Sequence, residues 1–254
     1  MAESRYGVES VRRALDILRA VAERGSLSLD EAIDITGAAK STAFRLLDTL
    51  QEAGLVERVP TGGYRPGAES VRWGLLLLGR LDVPTLAAED LRALWLETRE
   101  TVSLAMLIGR TIVLSEILES PAPFRMAELP GTVISPHSSA LGKAVLAHLP
   151  PSWADEMLGP QPFEAITVNS PTTRQELEAR LTPVRGDGYA LDIEESATGV
   201  ACVAAAVFKH GRVAGGIGIA GPRVRMTDER LAYLGPLVAE VAGRISRRLS
   251  PQVS

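Results

Sequence analysis

The stretch KSTAFRLLDTL, residues 40–50, decides how the N-terminal part of this chain folds. Wound as a helix, it brings Ala43, Leu46, Leu47 and Leu50 together at the i, i+3, i+4, i+7 spacing of a buried stripe. Ser41, Thr42, Arg45, Asp48, Thr49 and Glu52 fall on the opposite side. That polar side is uneven. Lys40, two hydroxyls and Arg45 occupy its N-terminal half, and acids appear only towards its C-terminal end. A solvated face usually mixes its charges, so the asymmetry predicts a contact.

The flanks supply the rest of a small domain. Upstream, Ser10 is expected to cap a helix with Val11, Ala14, Leu15, Leu18, Val21 and Ala22 inward, ended by Gly25. Ser28-Leu29-Asp30-Glu31 has the capping-box form and opens a short helix through Ile33. Thr36-Gly37-Ala38-Ala39 then turns the chain into the Lys40 helix, which stops at Gly54. Leu55–Arg58 and Tyr64-Arg65, joined through Pro60-Thr61-Gly62-Gly63, read as a two-stranded hairpin. Helix, glycine turn, helix and wing together make a winged helix-turn-helix over residues 1–67. In that arrangement the second helix lays its N-terminal residues in the major groove. Lys40, Ser41, Thr42, Arg45 and Thr49 would face the duplex, and Arg58 and Arg65, with Arg12 and Arg13, would neutralise flanking phosphates.

Bulk charge does not announce such a role. The 254 residues carry a net charge of −4, and residues 1–67 hold nine Lys/Arg against ten Asp/Glu, so any DNA contact must come from a local basic patch. Hydrophobic residues make up 46% and aromatics 4%, which predicts cores of small and aliphatic side chains. One cysteine, Cys202, rules out an internal disulfide and suits a cytoplasmic protein. The first residues, MAESRYGVESVRR, lack the apolar core of a signal peptide. The apolar cluster WGLLLLG at 73–79 is far too short to span a bilayer, so no membrane role is expected.

A helix from Glu69 to Leu81, with Trp73, Leu76, Leu77 and Arg80 on one stripe, is broken by Asp82-Val83-Pro84. Residues 68–84 are expected to connect two domains and to form a dimer contact. Residues 85–254 alternate strands and helices. Val102–Ile108 and Thr111–Leu118 form a hairpin; helices are expected at Ser138–His148, Pro151–Leu158 and Thr172–Leu181; strands at Tyr189–Ile193, Ala201–Phe208 and Val213–Ala220. A last helix starts at Thr227-Asp228-Glu229, with a kink or a late start at Pro236. The chain is therefore α+β, its second domain mixed α/β around an antiparallel sheet.

A three-residue turn at Lys209-His210-Gly211 would pair Phe208 with Arg212. Continuing that register sets Ala206 beside Ala214, Ala204 beside Gly216, Cys202 beside Gly218 and Val200 beside Ala220, all on one face. Nearly all are small. Such a face leaves room for a close-packed helix or for a ligand.

Residues 10–67 resemble the DNA-binding domain of the IclR family of bacterial transcriptional regulators, through SVRRALDILRAVAERGSLSLDEAIDITG, KSTAFRLLDTLQEAGLVER and GGYRPG. The remainder resembles the same family's effector-binding domain, of GAF/PAS-like fold, through PHSSALGKAVLAHLP, GYALDIEESATGVACVAAAVF and IGIAGP. Where many relatives have Leu-Pro before Lys-Ser-Thr, this chain has Ala38-Ala39. The resemblance implies a sequence-specific regulator on two-fold operator DNA, acting as a homodimer or dimer of dimers and controlled by a small molecule. In relatives that bind small oxoacids, the ligand contacts map here onto Ala140, Leu141, Asp192, Cys202, Gly218 and Ala220. Two serine hydroxyls of those relatives are missing at Gly218 and Ala220, and Leu141 replaces an alanine. A larger or less acidic effector is expected, an aromatic or hydrazide-like catabolite, with Met126 and Phe124 on its apolar side and Val200 among its contacts.

Other classes have less to stand on. Cys202, His137 and Asp192 can be cast as nucleophile, base and orienting acid, or as metal ligands, but no glycine elbow surrounds Cys202 and the histidines show no paired spacing. No catalysis, metal or cofactor is expected. Glu194-Glu195, read as adjacent strand residues, would point to opposite faces. The rival reading is a sensor or interaction module that has lost specific DNA binding; the retained basic residues of the Lys40 helix and wing argue against it.

Overall fold

The structure, a computed structural model, describes residues 7–60, 62–79 and 81–250. Thr61 of the expected turn and Arg80 of the expected stripe lie outside the described residues. The chain divides into two units, with the boundary between Leu81 and Asp82.

In the first unit, α1 (Glu9–Arg24), α2 (Leu29–Thr36) and α3 (Lys40–Glu52) precede an antiparallel pair, β1 (Val56–Arg58) and β2 (Tyr64–Pro66). The expected capping box is present: the Ser28 hydroxyl accepts from Glu31 N–H at 3.2 Å, and Glu31 accepts from Ser28 N–H at 2.8 Å. Gly37 ends α2 in the left-handed region at φ 59°, where glycine bears no steric penalty. Ser10 is not the cap of α1. The cap position is Val8 and the helix begins two residues earlier than a Ser10 cap implies, with Glu9 in its first turn gripping Arg12 and Arg13. The buried stripe of α1 is Ile17, Ala20 and Val21, while Val11, Leu15 and Ala22 are exposed. Ala14 and Leu18 are half-buried against the same core, so the stripe runs from Ala14 to Val21 and leaves out both ends of the apolar run. Ala43, Leu47 and Leu50 of α3 complete this core with Leu27, Val56 and Tyr64.

The last helix of the first unit, α4 (Ala68–Leu78), buries none of its residues, and Trp73, Leu75, Leu76, Leu77 and Leu78 are all exposed. Asp82-Val83-Pro84 does not break structure but starts α5 (Asp82–Thr98). Pro84 sits in its first turn, where a missing N–H costs nothing.

Among the described residues, the second unit carries a five-stranded antiparallel sheet in the order β4 (Thr111–Leu118), β3 (Thr101–Ile108), β7 (Arg212–Pro222), β6 (Val200–Lys209), β5 (Ala190–Ile193). Helices α6 (Ala140–Leu146), α7 (Pro151–Leu158) and α8 (Arg174–Asp187) pack with Ala105, Ala190 and Ala204 on one face. The other face, with Val203, Ile217 and Ile219, is covered by α5 and α9 (Asp228–Leu249). Pro236 neither delays nor ends α9, which starts at Asp228 behind its Thr227 cap.

The β6–β7 register differs from the expected one by two residues. Lys209 pairs with Arg212 across a two-residue loop, with His210 at φ 50° and Gly211 at φ 73°, and a bulge follows between Val207 and Phe208. The tighter loop and the bulge each add one residue. Ala206 thus meets Gly216, Ala204 meets Gly218, Cys202 meets Ala220 and Val200 meets Pro222. An even shift preserves parity, so the small residues still share one face.

Candidate functional site

The first candidate is the outer side of α3. Lys40, Ser41, Thr42 and Arg45 are exposed, and a shallow groove runs between Leu29, Lys40, Ser41, Phe44 and Arg45. Unlike α2 and α8, α3 has no side-chain cap and no acid in its first turn, so its leading N–H groups have no side-chain acceptor. An uncapped helix start next to Lys40 is a ready anion site. The expected basic residues are not equivalent. Arg65 is held by Glu57, its cross-strand partner, and Arg12 and Arg13 by Glu9. Among the described residues Lys40, Arg45 and Arg58 have no ion-pair partner. The Thr49 hydroxyl donates to Arg45 C=O at 2.9 Å, spending its only proton within the helix.

The second candidate is a cavity of about 210 Å³ in the second unit, between the sheet and the segment leading into α6. Strand pairing builds its floor. Asp192, Cys202 and Ala220 lie side by side across β5, β6 and β7, and Ser103, Gly218 and Ala204 across β3, β7 and β6. Leu141 of α6 lies over the glycines. A Cβ on Gly218 would stand 3.3 Å from Leu141 Cγ, and one on Gly216 the same distance from its Cδ2. The small-residue face is thus only partly covered by a helix. Leu141 packs on Gly216 and Gly218, and the space beyond stays open.

Local bonds hold the walls. Ser139 caps α6, accepting from Gly142 N–H at 2.9 Å and donating to Ser135 C=O at 2.7 Å. Gly142 permits this approach, since a Cβ there would stand 2.3 Å from the Ser135 oxygen. The Thr101 hydroxyl donates to Met126 C=O at 3.4 Å and fastens the opposite wall to β3. Asp192 is fully buried; its carboxylate accepts from Glu195 N–H at 2.8 Å, from Ser196 N–H at 3.3 Å and from the Ser196 hydroxyl. Burial pushes its pKa up, against the pull of those bonds. Glu128 is also pushed up by burial, with a further push from Asp192. Behind this wall, Lys143 (1% exposed) is ion-paired with Glu195 (6% exposed), which also meets Arg180 at 3.2 Å.

Met126, Ala140, Leu141, Asp192, Cys202, Gly218 and Ala220 all line the cavity. Val200 does not, being paired with Pro222 beyond its end. Phe124 is 69% exposed and outside it. Arg225 forks onto Glu100 at 2.7 Å through both contacts and donates to Phe124 C=O at 2.9 Å, which holds that segment outward. Ser103, Glu128 and Ser196 also line the cavity and were not singled out from the sequence. Ser103 is visible only once β3 pairs with β7, and Glu128 sits in an irregular segment without periodicity.

Cys202 and His137 are not assembled for chemistry. The His137 ring nitrogens meet Glu164 C=O at 2.9 Å and the Ser135 hydroxyl at 3.2 Å, and the ring packs on Phe163, outside the cavity. Burial, with Asp192 and Glu128 adding to it, pushes the Cys202 thiol well above its usual range, the opposite of nucleophile activation. Among the described residues no group of His, Cys, Asp and Glu could hold a metal ion. Glu194 and Glu195 lie past the end of β5. Glu194 turns at φ 57° to accept from Gly199 N–H at 2.7 Å, so strand alternation does not govern them.

Residues 10–60 match the IclR helix-turn-helix domain, and residues 76–247 match the bacterial transcriptional regulator IclR C-terminal domain. The HTH-type transcriptional regulator BhcR of Paracoccus denitrificans is 34% identical over 253 residues, 99% of this chain and 91% of that protein. The transcriptional repressor IclR of Escherichia coli K12 is 31% identical over 244 residues, 94% of this chain and 89% of that one. The crystal structure of the Thermotoga maritima IclR superposes with a TM-score of 0.75 at 28% identity, covering 94% of this chain and 98% of that one.

Proposed function

The chain belongs to the IclR family of bacterial transcriptional regulators, and from that premise we propose that it binds a specific operator through α3 and is controlled by a small molecule in the second unit's cavity. One observation carries the reading: α3 presents Lys40 and Arg45 without ion-pair partners among the described residues, beside an uncapped helix start. Arg45 would read a base edge, and Lys40 with the α3 N–H groups would hold a phosphate. Arg58 of the wing adds a second phosphate contact. Arg65 contributes less, because Glu57 already compensates it.

The cavity supports an effector that is small and less acidic than the oxoacids. At about 210 Å³ it lies below the usual range for drug-sized ligands. Members of the family are named as regulators, and the protected Cys202 gives no support to catalysis. Among the described residues no helix is long and apolar enough to cross a membrane; a regulator of chromosomal genes would act in the cytoplasm. The exposed leucines of α4 support pairing with a second copy, because an apolar helix that buries nothing in its own chain needs a cover.

Fluorescence anisotropy with DNA from upstream of the protein's own gene tests the reading. Saturable binding is expected that scrambled DNA does not compete away, with log affinity falling linearly against log salt. Light scattering of the same sample should give a mass at least twice 27.1 kDa. Equal and weak binding to both DNAs, unchanged by pools of small metabolites, would favour the rival sensor module without specific DNA binding.

A further inference from the structure

Charge in the cavity is one-sided. Glu128 and Asp192 both line it, and among the described residues no lysine, arginine or histidine does. Lys143 is ion-paired with Glu195 and stands outside the lining; its charge also reaches Asp192, which leaves Glu128 as the carboxylate without a counter-charge. Asp192 is served by donors from Glu195 and Ser196, whereas the Glu128 carboxylate has neither a hydrogen bond nor an ion pair among the described residues. Ser103 adds an independent sign of a missing ligand. It is 3% exposed, lines the cavity, and its hydroxyl has no hydrogen-bond partner among the described residues. That hydroxyl is not sealed from solvent; it opens onto the cavity and offers a ligand atom a hydrogen bond there.

We propose that this cavity takes a small organic cation, a compact apolar body bearing one ammonium or amidinium group, and rejects carboxylates. The ammonium sits between Glu128 and Asp192 and supplies the counter-charge that the lining lacks. The apolar body rests against Met126, Ile134 and Leu141, and the Ser103 hydroxyl meets the ligand's remaining polar edge. A carboxylate would enter beside two carboxylates with no side-chain cation among the described residues to receive it, and only the leading N–H groups of α6 to offset its lost hydration. The absence of hydroxyls at Gly218 and Ala220 fits the same ligand: Leu141 fills the space over Gly218, and no donor is needed there. This inference rests on the reading of the cavity as the effector site.

The test uses the full chain and three probes of nearly one shape: benzylamine, benzyl alcohol and benzoate. Titration calorimetry is expected to show benzylamine binding at least tenfold more tightly than benzyl alcohol, and benzoate not binding. In Glu128→Gln the amine should lose at least tenfold in affinity while the alcohol changes less than twofold. The half-buried Glu128 holds nothing else in place, so the variant's own melting temperature reports whether the fold survives. Benzoate binding as tightly as benzylamine, amine affinity indifferent to Glu128→Gln, or no binding by benzylamine or the smaller propylamine would each overturn the proposal. Operator affinity, measured with and without each probe, separates the two claims. If benzoate binds and shifts DNA affinity, the effector site stands and the cation falls. If benzylamine binds through Glu128 and DNA affinity does not move, the cation site stands and the regulatory reading of the cavity falls.

Discussion

Glu195→Gln is expected to lower the unfolding free energy by about 3–5 kcal/mol, a drop of roughly 6–20 °C in Tm. The reason is the company Lys143 keeps. Its ammonium is 1% exposed, and its one hydrogen bond among the described residues goes to the Glu195 carboxylate. Burial pushes Lys143 down and Glu195 up, and each group's charge opposes the other's shift. Removing the carboxylate leaves a buried ammonium without its hydrogen-bonded counter-ion and with only the charge of Asp192 in reach, which is the costly way to break such a pair. The sign of the pH dependence follows. With Lys143 depressed in the folded variant, the unfolded chain binds more protons, so the variant's stability should recover as pH rises towards the ordinary lysine range. Replacing both residues, as Lys143→Met with Glu195→Met, should cost less than Glu195→Gln alone, because no charge is then stranded. Thermal denaturation followed by circular dichroism checks all three statements. A Glu195→Gln protein within about 1 kcal/mol of wild type would show that Lys143 is not held by this pair.

Arg45→Ala is expected to weaken operator binding by at least tenfold, since an arginine paired to guanine is worth about 1–3 kcal/mol at one half-site. The change should leave the fold alone. Arg45 is exposed on α3, opposite the buried Ala43, Leu47 and Leu50. Two controls separate reading from charge. Arg58→Ala should weaken operator and scrambled DNA alike and flatten the salt dependence by about one unit of slope, the behaviour of a phosphate contact. Arg65→Ala should do less than either, because Glu57 already occupies that guanidinium. Anisotropy titrations of the three variants at several salt concentrations decide it. If Arg65→Ala abolished binding and Arg45→Ala did not, the wing rather than α3 would be the reading element.

The same division between local and non-local information runs through the whole molecule. The capping box at Ser28, the glycine end of α2 and the buried stripe of α3 depend on residues within a few positions of each other, so helical periodicity and cap chemistry were enough to read them. In α1 the expected Ala14, Leu18 and Val21 do meet the core, whereas Val11, Leu15 and Ala22 do not, because the apolar residues outnumber the contacts available and only packing against the rest of the domain chooses among them. Pro84 was read as a breaker because the sequence does not say whether a proline stands inside a helix or in its first turn.

The cavity shows the limit most clearly. Alternation along β6 and β7 placed the small residues on one face, and a two-residue slip left that face intact because strand periodicity is two. The sequence alone thus determined the helix-turn-helix, the family resemblance and the small-residue floor, all of which are local or periodic properties. Tertiary structure decided that Leu141 fills the space above Gly216 and Gly218, that Arg225 turns the Phe124 segment outward, and that Glu195 sits beside Lys143. It also brought Glu128 and Ser103 to the side of Asp192. Those juxtapositions join residues dozens of positions apart, and strand order and loop path, not spacing, create them.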